Sequence, residues 1–192
     1  MVQPVGNSDA KWKAIVDNMT ELCGSTPQLI DELYRSESAT NFNNRSIAWL
    51  LKNYNRIYDD PDMSLDLYTR QCSMGITAEQ LSICGATIAN EGLNPNTNKQ
   101  VFDKALSPEN HLHDSYRRFL SAHRRLALHF GNSCQDRRRR RCHGVMPGVM
   151  GIAAFAPPLD DAGNSVKAQL AIKHIMNKLG MNVFNGHRIH VQ

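Results

Sequence analysis

An α+β fold follows from three features of the 192-residue sequence. Its N-terminal half carries apolar residues at helical spacing in successive stretches. A late apolar run, "VMPGVMGIAAFAPPLD", has the glycine-punctuated character of strand. One more amphipathic helix then closes the chain. The layout is a cluster of helices, a disrupted middle and a strand–turn–helix end, without internal repeats.

The elements follow in order. Ser8 precedes "DAKWKAIVDNMTELCG", where Trp12, Ile15, Val16, Met19 and Leu22 share one face and Gly24 can end the helix. "TPQLIDELYRSE" is expected to be a short second helix with Pro27 in its first turn. "NNRSIAWLLKNYNRIY" places Ile47, Leu50, Leu51, Tyr54 and Tyr58 on one face. Pro61 opens "PDMSLDLYTRQCSM", with Leu65, Tyr68 and Cys72 in register. Thr77 and Gln80 make a capping box for "TAEQLSICGATIANEG", after which "LNPNTNKQVFD" is a turn-rich connector. Pro157 and Pro158 bound the late strand run, and "DDAGNS" is a turn. In "VKAQLAIKHIMNKLG", the stripe Ala168, Ala171, Ile172, Ile175, Met176 and Leu179 ends at Gly180.

Composition narrows the function classes. No apolar run approaches the roughly 20 residues that span a bilayer, and no signal-peptide pattern opens the chain. A cytoplasmic protein is therefore the expectation. Five cysteines, Cys23, Cys72, Cys84, Cys134 and Cys142, form no Cys-x-x-Cys pair, so neither a disulfide framework nor a zinc site is expected. The net charge of +4 would ordinarily invite a nucleic-acid reading. Residues 109–143, however, hold nine arginines, Arg137–Arg141 consecutively, against Glu109, Asp114 and Asp136. Without that window 13 basic and 15 acidic residues remain, a net charge of −2. The window also holds five of the eight histidines.

Three strings carry a resemblance: "YRSESATNFNNRSIAWLLKNYNRIYDDPDMSLDLYTRQCS", "LSICGATIANEGLNPNTNKQVF" and "GVMPGVMGIAAFAPPLDDAGNSVKAQ". Together, in this order, they resemble the bacterial serine-dependent glutaminases, relatives of the β-lactamases and penicillin-binding proteins. The likeness covers residues 8–108 and 144–186. It implies a β-lactamase-like helical cluster with part of an antiparallel sheet, and hydrolysis of L-glutamine to L-glutamate and ammonia without metal or organic cofactor. It also implies a homo-oligomer, no membrane and no nucleic-acid partner. The family's Ser-x-x-Lys nucleophile motif is expected to lie N-terminal to this chain, with Met1 an internal methionine. No Ser or Cys here is expected to stand in a motif with a candidate base. The isolated chain is accordingly expected to be inactive.

The family's Lys-Ser/Thr-Gly triad and glycine-rich strand are replaced here by the arginines. If Cys134–His143 is encoded with CGG arginine codons, the DNA one base later reads Ala-Lys-Thr-Gly-Val-Gly-Gly-Gly-Val-Met, the missing triad and strand. The same compatibility extends codon by codon over residues 109–143. A one-base gain after Pro108 and a one-base loss before Gly144 would produce it. The expected organisation is thus a helical portion over 1–108, a frame-shifted segment over 109–143 and a strand–turn–helix portion over 144–192. The competing reading is a non-catalytic basic nucleic-acid-binding protein or degenerate remnant, which salt-sensitive binding through Arg137–Arg141 would favour.

By resemblance, Glu37 and Asn44, seven apart, match family positions that contact substrate. An anion suits the α-ammonium of glutamine, and amide donors suit its α-carboxylate. Tyr68 matches a substrate-contacting tyrosine that is a candidate for proton transfer. Read from the residues alone, Glu37 is a surface acid, Asn44 a local cap or turn residue, and Tyr68 a core residue packed with Leu65 and Cys72. A further tyrosine and a valine of the family pattern are not matched by Leu120 and Arg138.

Overall fold

The computed structural model describes residues 6–106, 141–161 and 165–180, the chain traced below. It divides into two compact units. One comprises residues 1–21 and 25–76, the other residues 22–24 and 77–192.

The first unit is built on helices. Helix α1 (Ser8–Cys23) ends where Gly24 takes φ +74°, a left-handed conformation that glycine adopts without a Cβ penalty. The expected helix from Thr26 forms only in part. Gln28–Leu29 is a short strand, β1, and helix α2 (Asp31–Thr40) starts beyond it, so Pro27 lies outside the helix. The carbonyl of Ser73 draws the chain out by accepting from the Ile30 N–H (3.0 Å). β1 pairs antiparallel with β2 (Met74–Gly75), Leu29 opposite Met74.

Helix α3 (Phe42–Asn53) follows a bend at Asn41, and helix α4 (Pro61–Cys72) is capped by Asp60, whose carboxylate accepts the Met63 N–H at 2.7 Å. Both α2 and α3 pack on α4. The expected run beyond α3 is cut short, because Asn55 takes φ +54° and turns the chain. Its five-residue apolar face (Ile47, Leu50, Leu51, Tyr54, Tyr58) is exposed in the described residues.

The second unit is layered. Helix α5 (Ala78–Ala89) carries the expected capping box: Thr77 Oγ1 accepts the Gln80 N–H (3.0 Å), and Gln80 Oε1 accepts the Thr77 N–H (2.9 Å). The apolar run is a hairpin rather than one strand. β3 (Arg141–Met146) and β4 (Met150–Phe155) pair antiparallel around Pro147 and Gly148. α5 packs on both strands, and so does α6 (Val166–Lys178). Strand alternation divides β4 between them: Met150, Ile152 and Ala154 pack with the Met146, Ala156, Ala168, Ile172 and Met176 core. Gly151 meets α5. A Cβ there would stand 2.2 Å from the Ala86 nitrogen and 2.4 Å from the Gly85 carbonyl carbon, so only glycine fits. The α6 stripe is borne out in half: Ala168, Ile172 and Met176 are buried, whereas Ala171, Ile175 and Leu179 are exposed. Gly180 at φ +66° follows the helix, as expected.

Candidate functional site

The first unit contains a cavity of about 430 Å³ lined by Lys11 and Ile15 of α1, the Arg56–Asp59 connector, and Ser64, Leu67, Tyr68 and Gln71 of α4. Leu67 turns inward and is buried, which leaves Tyr68, one residue on, in the cavity wall and 52% exposed. The core position that helical spacing assigned to Tyr68 is therefore overturned, while Leu65, expected beside it, is buried.

Lys11 is the buried cation of this cavity, only 4% exposed, and its ammonium pairs with the Asp59 carboxylate. A buried charge is tolerated only when paired and hydrogen-bonded. Asp59 supplies that: it also accepts the backbone N–H groups of Gly6 (3.3 Å) and Asp60 (3.2 Å). The Lys11 hydrogen bond, above all, holds its carboxyl below the usual carboxylate range against the opposing effect of desolvation. Nothing in the sequence announced this pair, because its members are 48 residues apart.

A second polar cluster braces α4. Asp66 accepts the Tyr34 hydroxyl and lies 2.8 Å from Arg70 Nε, while the Arg70 guanidinium stands 6.0 Å from the Trp12 ring centroid and 5.8 Å from that of Tyr34. Asn41 Nδ2 donates to Thr69 Oγ1 at 3.3 Å, tying the α2–α3 bend to α4.

The three residues matched to substrate contacts stand on three helices of this unit. Glu37 is exposed on α2, Asn44 is half-buried in the first turn of α3, and Tyr68 is on α4. The cavity takes in Tyr68 but neither Glu37 nor Asn44. Asn44 is not a cap residue; that position belongs to Asn41, whose side chain makes no capping hydrogen bond. Leu120 and Arg137–Arg140 lie outside the described residues.

One spacing escaped the sequence reading. Ser8-Asp9-Ala10-Lys11 has the form Ser-x-x-Lys, contrary to the expectation that no Ser stands in a motif with a candidate base. The geometry disarms it. Lys11 Nζ is paired with the Asp59 carboxylate across the cavity, so the lysine is engaged there.

The family model for glutaminase matches residues 1–110 and 142–184. The chain belongs to the glutaminase family. The glutaminase of Parabacteroides distasonis is 67% identical over 189 residues, which span 98% of this chain and 59% of that protein. The glutaminase of Bacteroides fragilis is 62% identical over the same shares. In three dimensions the chain is similar to the probable glutaminase ybaS, with a TM-score of 0.87, 36% identity, and coverage of 95% of this chain and 59% of that one. A Bacillus glutaminase crystallised in 4.3 M NaCl shares the fold, with a TM-score of 0.85 at 24% identity over 94% of this chain and 62% of that one. The expected α+β, β-lactamase-like class is thereby established. The chain spans about 59% of the length of the curated relatives it matches.

Proposed function

We propose that this glutaminase-family chain forms the substrate-contacting part of an amidohydrolase that converts L-glutamine to L-glutamate and ammonia. Glu37 takes the α-ammonium, Asn44 donates its amide to the α-carboxylate, and Tyr68 contacts substrate and passes a proton at the reacting amide. One observation supports this reading most: Tyr68, which its helix face would bury, stands exposed in the wall of a cavity of about 430 Å³. That volume is in the range of small-molecule sites. Homo-oligomerisation, which rests on the resemblance, and a cytoplasmic location belong to the same reading. In this reading the activated serine that attacks the amide carbon belongs to the part of the family's length that this chain does not span, because Lys11, three residues after Ser8, is engaged by Asp59.

The test is a family-length protein in which the Parabacteroides distasonis glutaminase supplies the remaining length and replaces residues 109–143. It is expected to release ammonia from L-glutamine, and Glu37→Gln, Asn44→Ala or Tyr68→Phe each to lower kcat/KM at least about tenfold, the loss of one charged or oriented hydrogen bond. Unchanged kcat/KM in these variants would remove the assignment.

A further inference from the structure

Two cysteines that the sequence separates by 61 residues meet in the second unit: Cys23 Sγ and Cys84 Sγ are 2.6 Å apart. The contact is built rather than incidental. Cys23 is the last residue of α1 and fully buried. The carbonyl beside it, Leu22, accepts Thr87 Oγ1 of α5 and Asn94 Nδ2, each at 3.3 Å, and both donors are completely buried residues. Asn94 is in turn fixed by accepting the N–H groups of Asn96 (2.9 Å) and Thr97 (3.3 Å). The end of α1 is thus anchored against α5 with its thiol facing Cys84. Among the described residues no group of three metal-binding side chains occurs.

We propose that Cys23 and Cys84 form a reversible intrachain disulfide, a redox-controlled staple between α1 and α5. Bringing the sulfurs to the ~2.05 Å of a bond needs a shift of roughly half an ångström. The chemistry is exchange with a small disulfide such as oxidised glutathione. The thiolate of one cysteine attacks a glutathione sulfur, forming a mixed disulfide and expelling glutathione thiolate. The second cysteine, giving its proton to solvent, attacks the protein sulfur of that mixed disulfide and expels the other glutathione. Two protein thiols are oxidised and one glutathione disulfide is reduced to two thiols. The shared hydrogen bond lowers the Cys23 thiol and raises that of Cys84, while burial raises both. Either sulfur can be the donor, and half-buried Cys84 is the one a dissolved oxidant reaches. The loop so closed, residues 24–83, carries Glu37, Asn44 and Tyr68. Its closure restricts the unfolded chain and stabilises the fold whether or not the glutaminase reading holds.

The purified full chain is incubated with oxidised glutathione, blocked with N-ethylmaleimide and mapped by mass spectrometry. The expected result is loss of two thiols with a Cys23–Cys84 linked peptide and a Tm raised by roughly 5–10 °C. Dithiothreitol should reverse both, and Cys72→Ser should leave both intact. Cys23→Ser or Cys84→Ser should abolish them; the wild-type peptide map decides the matter even if either variant folds poorly. Full alkylation of Cys23 and Cys84 after oxidation, or a stable glutathione adduct on Cys84 with Cys23 free, would overturn the proposal.

Discussion

Helices α3 and α6 are equally periodic in sequence, yet they end in opposite surroundings. On α6, Ala168, Ile172 and Met176 are at most 3% exposed against the hairpin. On α3, Ile47 and Leu50 are 53% and 54% exposed, and only Ala48 is buried. The contrast extends to what holds each unit. The α6 unit is cemented by apolar layers, with a helix on each face of a two-stranded sheet. The α3 unit relies on polar ties: Lys11 with Asp59, Tyr34 and Arg70 with Asp66, Asn41 with Thr69. Periodicity reports that a helix has an apolar face; it does not report whether anything covers that face.

The largest effect is expected at Gly151. Gly151→Leu inserts a side chain where even a Cβ meets α5 backbone at 2.2 Å, and it should abolish cooperative unfolding of the α5–hairpin–α6 layers. A native-like melt from this variant would mean that α5 does not lie against β4. A paired substitution then sharpens the contrast. Ile172→Ala should cost about 2–5 kcal/mol in urea unfolding. Ile47→Ala, on the exposed face, should cost no more than about 0.5 kcal/mol. Similar losses at both would place α3 in a covered surrounding.

Smaller again is the effect at the polar unit. The Asp59 carboxyl is lowered by its Lys11 hydrogen bond, so its stabilisation is fully present above the ordinary value of 3.8 and is lost as pH falls through the lowered folded value. Asp59→Asn should therefore reduce Tm at neutral pH, with the gap to wild type closing below pH 3.8. A pH-independent gap would assign Asp59 a purely steric role.

Local chemistry was legible where it is self-contained: the capping box at Thr77 and Gln80, the glycine stops at Gly24 and Gly180, and Pro61 at the start of α4. Contacts between distant residues were not. Gln28–Leu29 left the helix because β2, more than 40 residues on, offers it a partner. Tyr68 left the core because Leu65 and Leu67 fill it. Lys11–Asp59 and Cys23–Cys84 have no mark in any local pattern. The candidates Glu37, Asn44 and Tyr68 were proposed only through the resemblance, since propensity favoured an ordinary role for each.

The arginine window stays a proposal about the gene. The family model's two matched stretches leave residues 111–141 between them. Sequencing the coding DNA should find codons for residues 109–143 that read, one base later, as the glycine-rich segment. AGA in place of CGG at Arg139–Arg141 would end the idea.

This chain is proposed to carry residues that contact glutamine but not the nucleophile that attacks it. Ammonia release from L-glutamine by the purified 192-residue protein tests that claim directly. Lys11 Nζ is engaged by the Asp59 carboxylate, so release is expected not to exceed the no-protein background. Turnover well above background that disappears in Ser8→Ala and falls in Tyr68→Phe would contradict it, and would make Ser8 the nucleophile of a complete site.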